Sequence, residues 1–269
     1  MTSVARLGRT LRYYLPAFVV FVAVIVAWEV IVRALAIRAF ILPAPTAIAA
    51  ALVDNWGAGR WPLFDSARAT LFEAVGGLVI GTAIGVVVAF VVARWASARD
   101  SVLPFAIAAN AIPIVAIAPI FNAWFGVTNP VSKMMIVALL VFFPIMINVT
   151  RGLTQVEPSA LELMRSYAAS DWEVLRKVRL PNALPYFLTA LKVATTLSLI
   201  GAIVGEYFGG ATAVIGRVVV QSASALRFDV TWAAILLAAV TGIAFYLVIV
   251  GLERMLIPWH ASVRGEEIG

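Results

Sequence analysis

Six apolar stretches follow one another along the chain, near residues 14–36, 67–93, 102–125, 133–150, 183–208 and 231–257. A bilayer core of about 30 Å takes roughly 20 apolar residues of helix, and each stretch meets or approaches that length. The polar residues are confined to the connectors. With 63% hydrophobic and 13% charged residues, against ~45–50% and ~25% in soluble domains, a water-soluble fold is excluded. The expectation is an all-α polytopic membrane protein with about six transmembrane helices. It has one membrane domain over 14–257, an N-terminus of residues 1–13 and a tail of residues 258–269. The apolar run from Tyr14 to Val32 exceeds the ~7–15 residues of a secretory signal core, and no small-residue cleavage site follows it, so it reads as a retained span.

The chain has no cysteine and one histidine, His260, which removes thiolate and histidine-cluster metal sites and cysteine nucleophiles. The formal charge of +6 fits a topological bias better than a nucleic-acid surface. Six spans put both termini on one side. Arg6, Arg9, Arg12, Arg94, Arg99, Arg151, Arg165, Arg176, Lys177, Arg179, Arg254 and Arg264 fall on that side. Arg33, Arg38, Arg60, Arg68, Lys133, Arg217 and Arg227 fall on the other, and Lys192 lies inside a span. The positive-inside rule makes the first side, and both termini, cytoplasmic.

Residues 37–66 hold Pro43, Pro45, Trp56, Gly57, Gly59, Trp61 and Pro62. Two readings stand open: a short interfacial amphipathic helix around Thr46–Val53, or a plain connector. In the second span Gly77, Gly81 and Gly85 repeat at four-residue spacing, which lets another helix backbone approach closely. The connector 151–181 is the most specific signal. Pro158 suits the first turn of a helix over Ala160–Tyr167, with a break at Ala168 and Ala169. Ser170 stands three residues before Glu173 as in a capping box, starting a second short helix from Asp171 to about Val178. Pro181 and Pro185 are expected to end it and start the fifth span. This hairpin is too polar for the bilayer yet carries Leu161, Met164, Trp172, Leu175 and Val178, a composition suited to docking a soluble partner.

Here the sequence resembles the membrane permeases of bacterial binding-protein-dependent ABC importers, whose signature is Glu-Ala-Ala, three residues, Gly, nine residues, Ile, one residue, Leu-Pro. Set on Leu180-Pro181, that pattern puts Val178 at the Ile position, Ala168 at the Gly position and Glu162 at the Glu position, with Leu163 and Met164 replacing the alanines. Ala168 leaves two outcomes open: a right-handed turn, or a strained left-handed one. Leu42-Pro43-Ala44-Pro45, Ile112-Pro113, Ala118-Pro119, Trp124-Phe125-Gly126, Phe142-Phe143-Pro144, Asn148, Gly152 and Glu206 resemble the branch that moves sulfonates, nitrate, or thiamine- and flavin-related precursors. Pro258-Trp259-His260 is similar to members associated with pyrimidine or flavin uptake.

The resemblance implies an importer of the bacterial inner membrane in which two permease subunits form the pathway and two cytosolic ATPase subunits drive it, with cargo delivered by an extracytoplasmic binding protein. ATP and magnesium would be used by the ATPase, since this chain has no G-x-x-x-x-G-K-[ST] to cradle phosphates. Leu161, Glu162, Met164, Arg165, Ser166, Ala168, Ser170 and Trp172 would form the ATPase-coupling contact, and no catalytic or metal-ligating residue is expected.

Ionisable groups at bilayer depth need a partner or a wet cavity. Glu29 and Arg33 are spaced for a helix-face ion pair, Glu73 is open between structural and functional use, and Lys192 is placed to snorkel. Glu206, followed by Tyr207, Phe208, Gly209 and Gly210, is a candidate gate or an interfacial anchor. Asn110 and Pro113 are candidate pathway residues, and Pro113 with Pro119 predicts a kinked or broken third span. A secondary transporter using Glu73, Glu206 or Asn110 is the competing class, but no inverted repeat is found. An intramembrane enzyme lacks any fitting constellation. The cargo class expected from the branch is a pyrimidine- or flavin-related nutrient, with sulfonate or nitrate as the alternative.

Overall fold

In a computed structural model the described residues are 3–57, 59–109 and 113–258, the side chains of 3–14, 96, 98, 99, 114 and 115 excepted. Among them every regular element is helical: α1 (Ser3–Ala34), α2 (Pro45–Asp54), α3 (Leu63–Arg94), α4 (Ala96–Ala109), α5 (Ile114–Phe125), α6 (Pro130–Thr154), α7 (Pro158–Ser166), α8 (Asp171–Val174), α9 (Leu180–Tyr207), α10 (Ile215–Ser224) and α11 (Phe228–Leu256). Five stretches are long and apolar enough to cross a membrane: Leu15–Ala34, Leu63–Arg94, Pro130–Thr154, Asp171–Tyr207 and Phe228–Leu256. The chain is thus an all-α multi-pass membrane protein.

Three features of the helix layout refine the sequence expectations. The break expected in the third stretch from Pro113 is present: 102–125 forms two helices, α4 of 14 residues and α5 of 12, each about 18–21 Å long at 1.5 Å per residue. Pro113 sits at the N-cap of α5 with φ −69° and ψ 97°, extended backbone that cannot continue a helix. Pro181 does not separate the hairpin from the fifth span: Leu175–Arg179 form a π-turn that joins α8 to α9 without a break. The helix opened at Asp171 therefore does not stop near Val178 but runs through the π-turn into α9. A proline ring collides with the carbonyl four residues back and offers no N–H, and the wider π-turn just before Pro181 is a way to absorb it. The third feature is α10, unforeseen because ten residues flanked by glycines and polar groups carry no span-length signal.

The chain divides into two compact units. In the first, residues 1–63 and 218–236, Pro45 opens α2 at its first turn. Glu29 receives hydrogen bonds from Arg33 Nε, from the Thr46 N–H and from Thr46 Oγ1 at 2.5, 3.1 and 2.8 Å. The expected ion pair thus also fastens the start of α2, which settles residues 46–53 as helix. Trp28 meets Trp232 edge-on at 5.6 Å between ring centroids.

The second unit, residues 64–217 and 237–269, is organised around α6, where Ile136, Val137, Val141, Ile145, Met146 and Leu153 are buried. Glycines on α3 and α9 bring those helices against it. A Cβ at Gly81 would lie 2.5 Å from the Ala138 carbonyl oxygen, and one at Gly201 would lie 2.5 Å from Leu140 Cδ1. Lys192 does not snorkel to water. Its Nζ donates to Glu253 at 2.9 Å, with both side chains largely enclosed; a buried charge pair is costly to break from one side.

Candidate functional site

The hairpin between α6 and α9 is built by local rules. Pro158 starts α7, and the helix closes on Ala168, whose φ is +49°. The Ala168 N–H donates to the Arg165 carbonyl at 2.9 Å and the Ala169 N–H to the Met164 carbonyl at 3.0 Å. These two bonds form a Schellman motif, in which the left-handed position favours glycine. Of the two outcomes left open at Ala168, the turn is the left-handed one, costing an alanine ~1–2 kcal/mol. Ser170 then opens α8 with a reciprocal capping box. The Ser170 N–H donates to Glu173 Oε2 at 3.0 Å, and the Glu173 N–H donates to Ser170 Oγ at 3.4 Å.

No residue of α7 is buried. Glu162, Arg165, Ser166, Ala168, Ser170 and Trp172 are exposed, and Leu161 and Met164 are half-buried. The most exposed apolar groups of the hairpin are Tyr167, Trp172 and Leu163, at 76%, 66% and 56%. Leu163 and Tyr167, four residues apart, share one face of α7 and supply the aromatic and aliphatic surface a docking partner would bury. Sequence reasoning passed over Leu163 and Tyr167 because which face of so short a helix turns to solvent is decided by how its ends are held.

The base of the hairpin is closed by Asn182 of α9, whose Nδ2 donates to the carbonyls of Gly152 and Gln155 at the end of α6 at 2.7 and 3.1 Å. Gly152 permits the approach: a Cβ there would stand 2.7 Å from the Ala183 Cα. A push on the hairpin is therefore delivered to α6 and α9 together. Asn182→Ala removes both bonds, each worth about 1 kcal/mol. The expected outcome is faster amide exchange across 152–160, with folded protein recovered at the wild-type level. Unchanged exchange would show that the two helices hold together without it.

At the far end of α9 lies a second polar group. Glu206 is fully buried. Its Oε2 accepts from the Gly216 N–H at 2.5 Å, while the neighbouring Ile215 N–H donates to Thr70 Oγ1 at 3.0 Å. A carboxylate on the first turn of α10 is electrostatically favourable. Glu73 and Lys133 are also buried and act on Glu206; Lys133 Nζ donates to the Val127 carbonyl. Lys133, expected among the loop charges, is thus a core residue. Gly209, buried with φ +152°, packs on Val127, so the glycine pair after Phe208 is pinned at its first member. The carboxylate of Glu206 ties α9 to α10, and Tyr207 and Phe208 beside it are half exposed. Pro113 is exposed at the head of α5. Asn110, Trp259 and His260 lie outside the described residues.

Gly77, Gly81 and Gly85 all face α6: a Cβ at Gly77 would lie 2.4 Å from Val137 Cβ, and one at Gly85 would lie 3.0 Å from the Phe142 carbonyl oxygen. Among the described residues no group of three or more His, Cys, Asp or Glu is arranged to hold a metal ion.

Residues 77–260 match the family described as binding-protein-dependent transport system inner membrane component. The formylaminopyrimidine transport permease protein ThiX of Halalkalibacterium halodurans is 30% identical over 240 residues, 89% of this chain and 94% of that protein. The riboflavin transport system permease protein RibX of Chloroflexus aurantiacus is 29% identical over 254 residues, 93% of each. The putative aliphatic sulfonates transport permease protein SsuC of Bacillus subtilis is 28% identical over 245 residues, 90% of this chain and 87% of that one. Among solved structures, a chain of the inward-facing MetNI methionine ABC transporter superposes with a TM-score of 0.50, covering 70% of this chain and 93% of that chain at 17% identity. At that identity the likeness is one of fold.

Proposed function

The chain belongs to the family of binding-protein-dependent transport system inner membrane components, the permease subunits of ABC importers, and from that premise we propose that it forms the membrane pathway for a small organic nutrient and is driven through the hairpin 158–179. The observation that carries this reading is the hairpin itself. A nine-residue helix with no buried residue presents Leu163 and Tyr167 to solvent, while Asn182 fixes its base to two spans.

In this reading a cytosolic ATPase subunit grips α7, with Glu162 and Arg165 as polar contacts beside the apolar ones. Closure of two such subunits moves the hairpin as a rigid body, because packed interfaces switch between discrete arrangements. ATP and magnesium act on that partner. The hairpin side is the cytoplasm in this reading, and both termini are proposed to lie there on the strength of the positive-inside charge bias. A second permease subunit completes the pathway, and a binding protein supplies cargo on the opposite face.

The cargo proposed is a pyrimidine- or flavin-related nutrient, supported by the relatives that carry formylaminopyrimidine and riboflavin in their names. An aliphatic sulfonate is the alternative, supported by the sulfonate relative of similar coverage. Proteoliposomes holding the permease, its ATPase and the cognate binding protein test both levels. Uptake is expected to require internal ATP, to stop when the ATPase is inactivated and to persist when the proton gradient is dissipated; a pyrimidine- or flavin-type ligand is expected to outcompete taurine for the binding protein. Uptake that follows the ion gradient and ignores ATP would instead make the Glu73, Lys133 and Glu206 group a coupling site of a secondary transporter.

A further inference from the structure

A cavity of about 480 Å³ opens where α3 and α6 end and the hairpin returns toward the membrane. Its walls include Phe90 and Arg94 from the last turns of α3, Leu153 from the last turn of α6, and Trp172 and Arg179 from the hairpin's returning limb, with Asp171 at its edge. The geometry points to a site for the headgroup of an anionic phospholipid, taken from the leaflet on the hairpin side.

Depth comes first. Each wall is the terminus of an apolar span, so the cavity lies where hydrocarbon gives way to headgroups. Charge comes second. Arg179 has no ion-pair partner among the described residues, and Arg94 reaches only Asp171, at 3.9 Å, a carboxylate whose side chain is 95% exposed. A pair so long and so wet contributes little, which leaves two guanidinium groups free to fork onto phosphate oxygens. The ends of α3 and α6 at the cavity are carbonyl ends, which disfavour an anion, so binding falls on the two arginines. Third, the cavity has two characters. Phe90, Leu153 and Leu175 line its apolar part and Trp172 stands exposed beside it, an aromatic group at the interface where such rings settle. A phosphate joined to a glycerol and acyl chains satisfies both characters, whereas a free anion or an acidic side chain satisfies one. Basic pockets between span ends are a recurring form of lipid site. Once filled, this site braces the returning limb of the hairpin against α3, so that the stiffness of the drive element depends on the lipid around it.

Native mass spectrometry of the permease assembled with its ATPase, delipidated stepwise and then offered phosphatidylglycerol or phosphatidylcholine, tests the assignment. The wild-type complex is expected to keep phosphatidylglycerol in preference, and Arg94→Gln and Arg179→Gln each to weaken that preference about fivefold, with Arg176→Gln, outside the cavity, leaving it unchanged. In the unaltered arginine background, brominated phosphatidylglycerol is expected to quench the Trp172 fluorescence, taken as wild type minus Trp172→Phe, more than brominated phosphatidylcholine does. Equal retention of the two lipids, a preference that survives loss of both arginines, or equal quenching would overturn the site. So would displacement by inorganic phosphate at millimolar concentration, which would make it a free-anion site. Lipid that binds only after the ATPase is stripped away would assign the cavity to that protein instead.

Discussion

Ala168→Val is expected to cut uptake by the assembled importer to about a tenth or less, while the permease still inserts and is recovered at the wild-type level. The turn that ends α7 places residue 168 at φ +49°, where alanine is already disfavoured by ~1–2 kcal/mol and a β-branched side chain is a steric outlier. Each ~1.4 kcal/mol shifts an equilibrium tenfold, and α7 has only nine residues and no buried side chain to resist the loss. The damage stays local because the spans do not depend on this turn. Ala168→Gly is the informative partner: it removes the steric cost and pays ~0.5–1 kcal/mol of backbone entropy, so it is expected to retain uptake and to slow amide exchange over 158–169. ATP-dependent transport and exchange measured on the same preparations check the pair. Valine that transports as well as glycine would mean that the left-handed turn is not required for drive, and would also remove the support the hairpin gives to the proposed function.

What could be read from the residues divides along physical lines. The spans were legible because a bilayer imposes a length, and the capping box was legible because Ser170 and Glu173 act within one turn of helix, whereas α2 stood open between helix and connector because the Glu29 carboxylate that fastens Thr46 lies 17 residues away. The turn at Ala168 was narrowed to two conformations by its residue type, but the choice between them depends on which carbonyls the next amides reach. Other features are set at a distance. Glu253 lies 61 residues from Lys192, Thr70 lies 145 from the Ile215 amide it accepts from, and Lys133 looks like a loop charge until the chain wraps Glu73 and Glu206 around it. Pro181 was expected to break a helix by its intrinsic preference; a π-turn of five residues overrides that preference. The cavity at Arg94 and Arg179 joins positions 85 residues apart in sequence, and nothing in either neighbourhood announces the other.

Gly81→Ala, a single added methyl group, is expected to destabilise the membrane fold by close to the full cost of overpacking. The new Cβ would stand 2.5 Å from the Ala138 carbonyl oxygen, 2.9 Å from its Cα and 3.1 Å from its carbonyl carbon. All three are main-chain atoms of α6, so no rotamer change relieves the contact and the two helices must part by roughly 1 Å to regain ordinary separation. Overpacking costs ~1–3 kcal/mol, and the upper part of that range applies where backbone meets backbone. At about 2–4 °C of midpoint per kcal/mol for a chain of this size, the thermal midpoint of the detergent-solubilised protein, followed by the monodisperse fraction left after heating, should fall by about 5–10 °C. Gly251→Ala supplies the comparison. It also lies inside a long apolar helix, α11, but a Cβ there meets nothing within 4 Å, and replacing a helix-interior glycine by alanine gains ~0.5–1 kcal/mol. The two substitutions should therefore move the midpoint in opposite directions. If both raise it, helix propensity outweighs close approach at Gly81, and α3 and α6 lie farther apart in the membrane than a 2.5 Å approach to Ala138 requires.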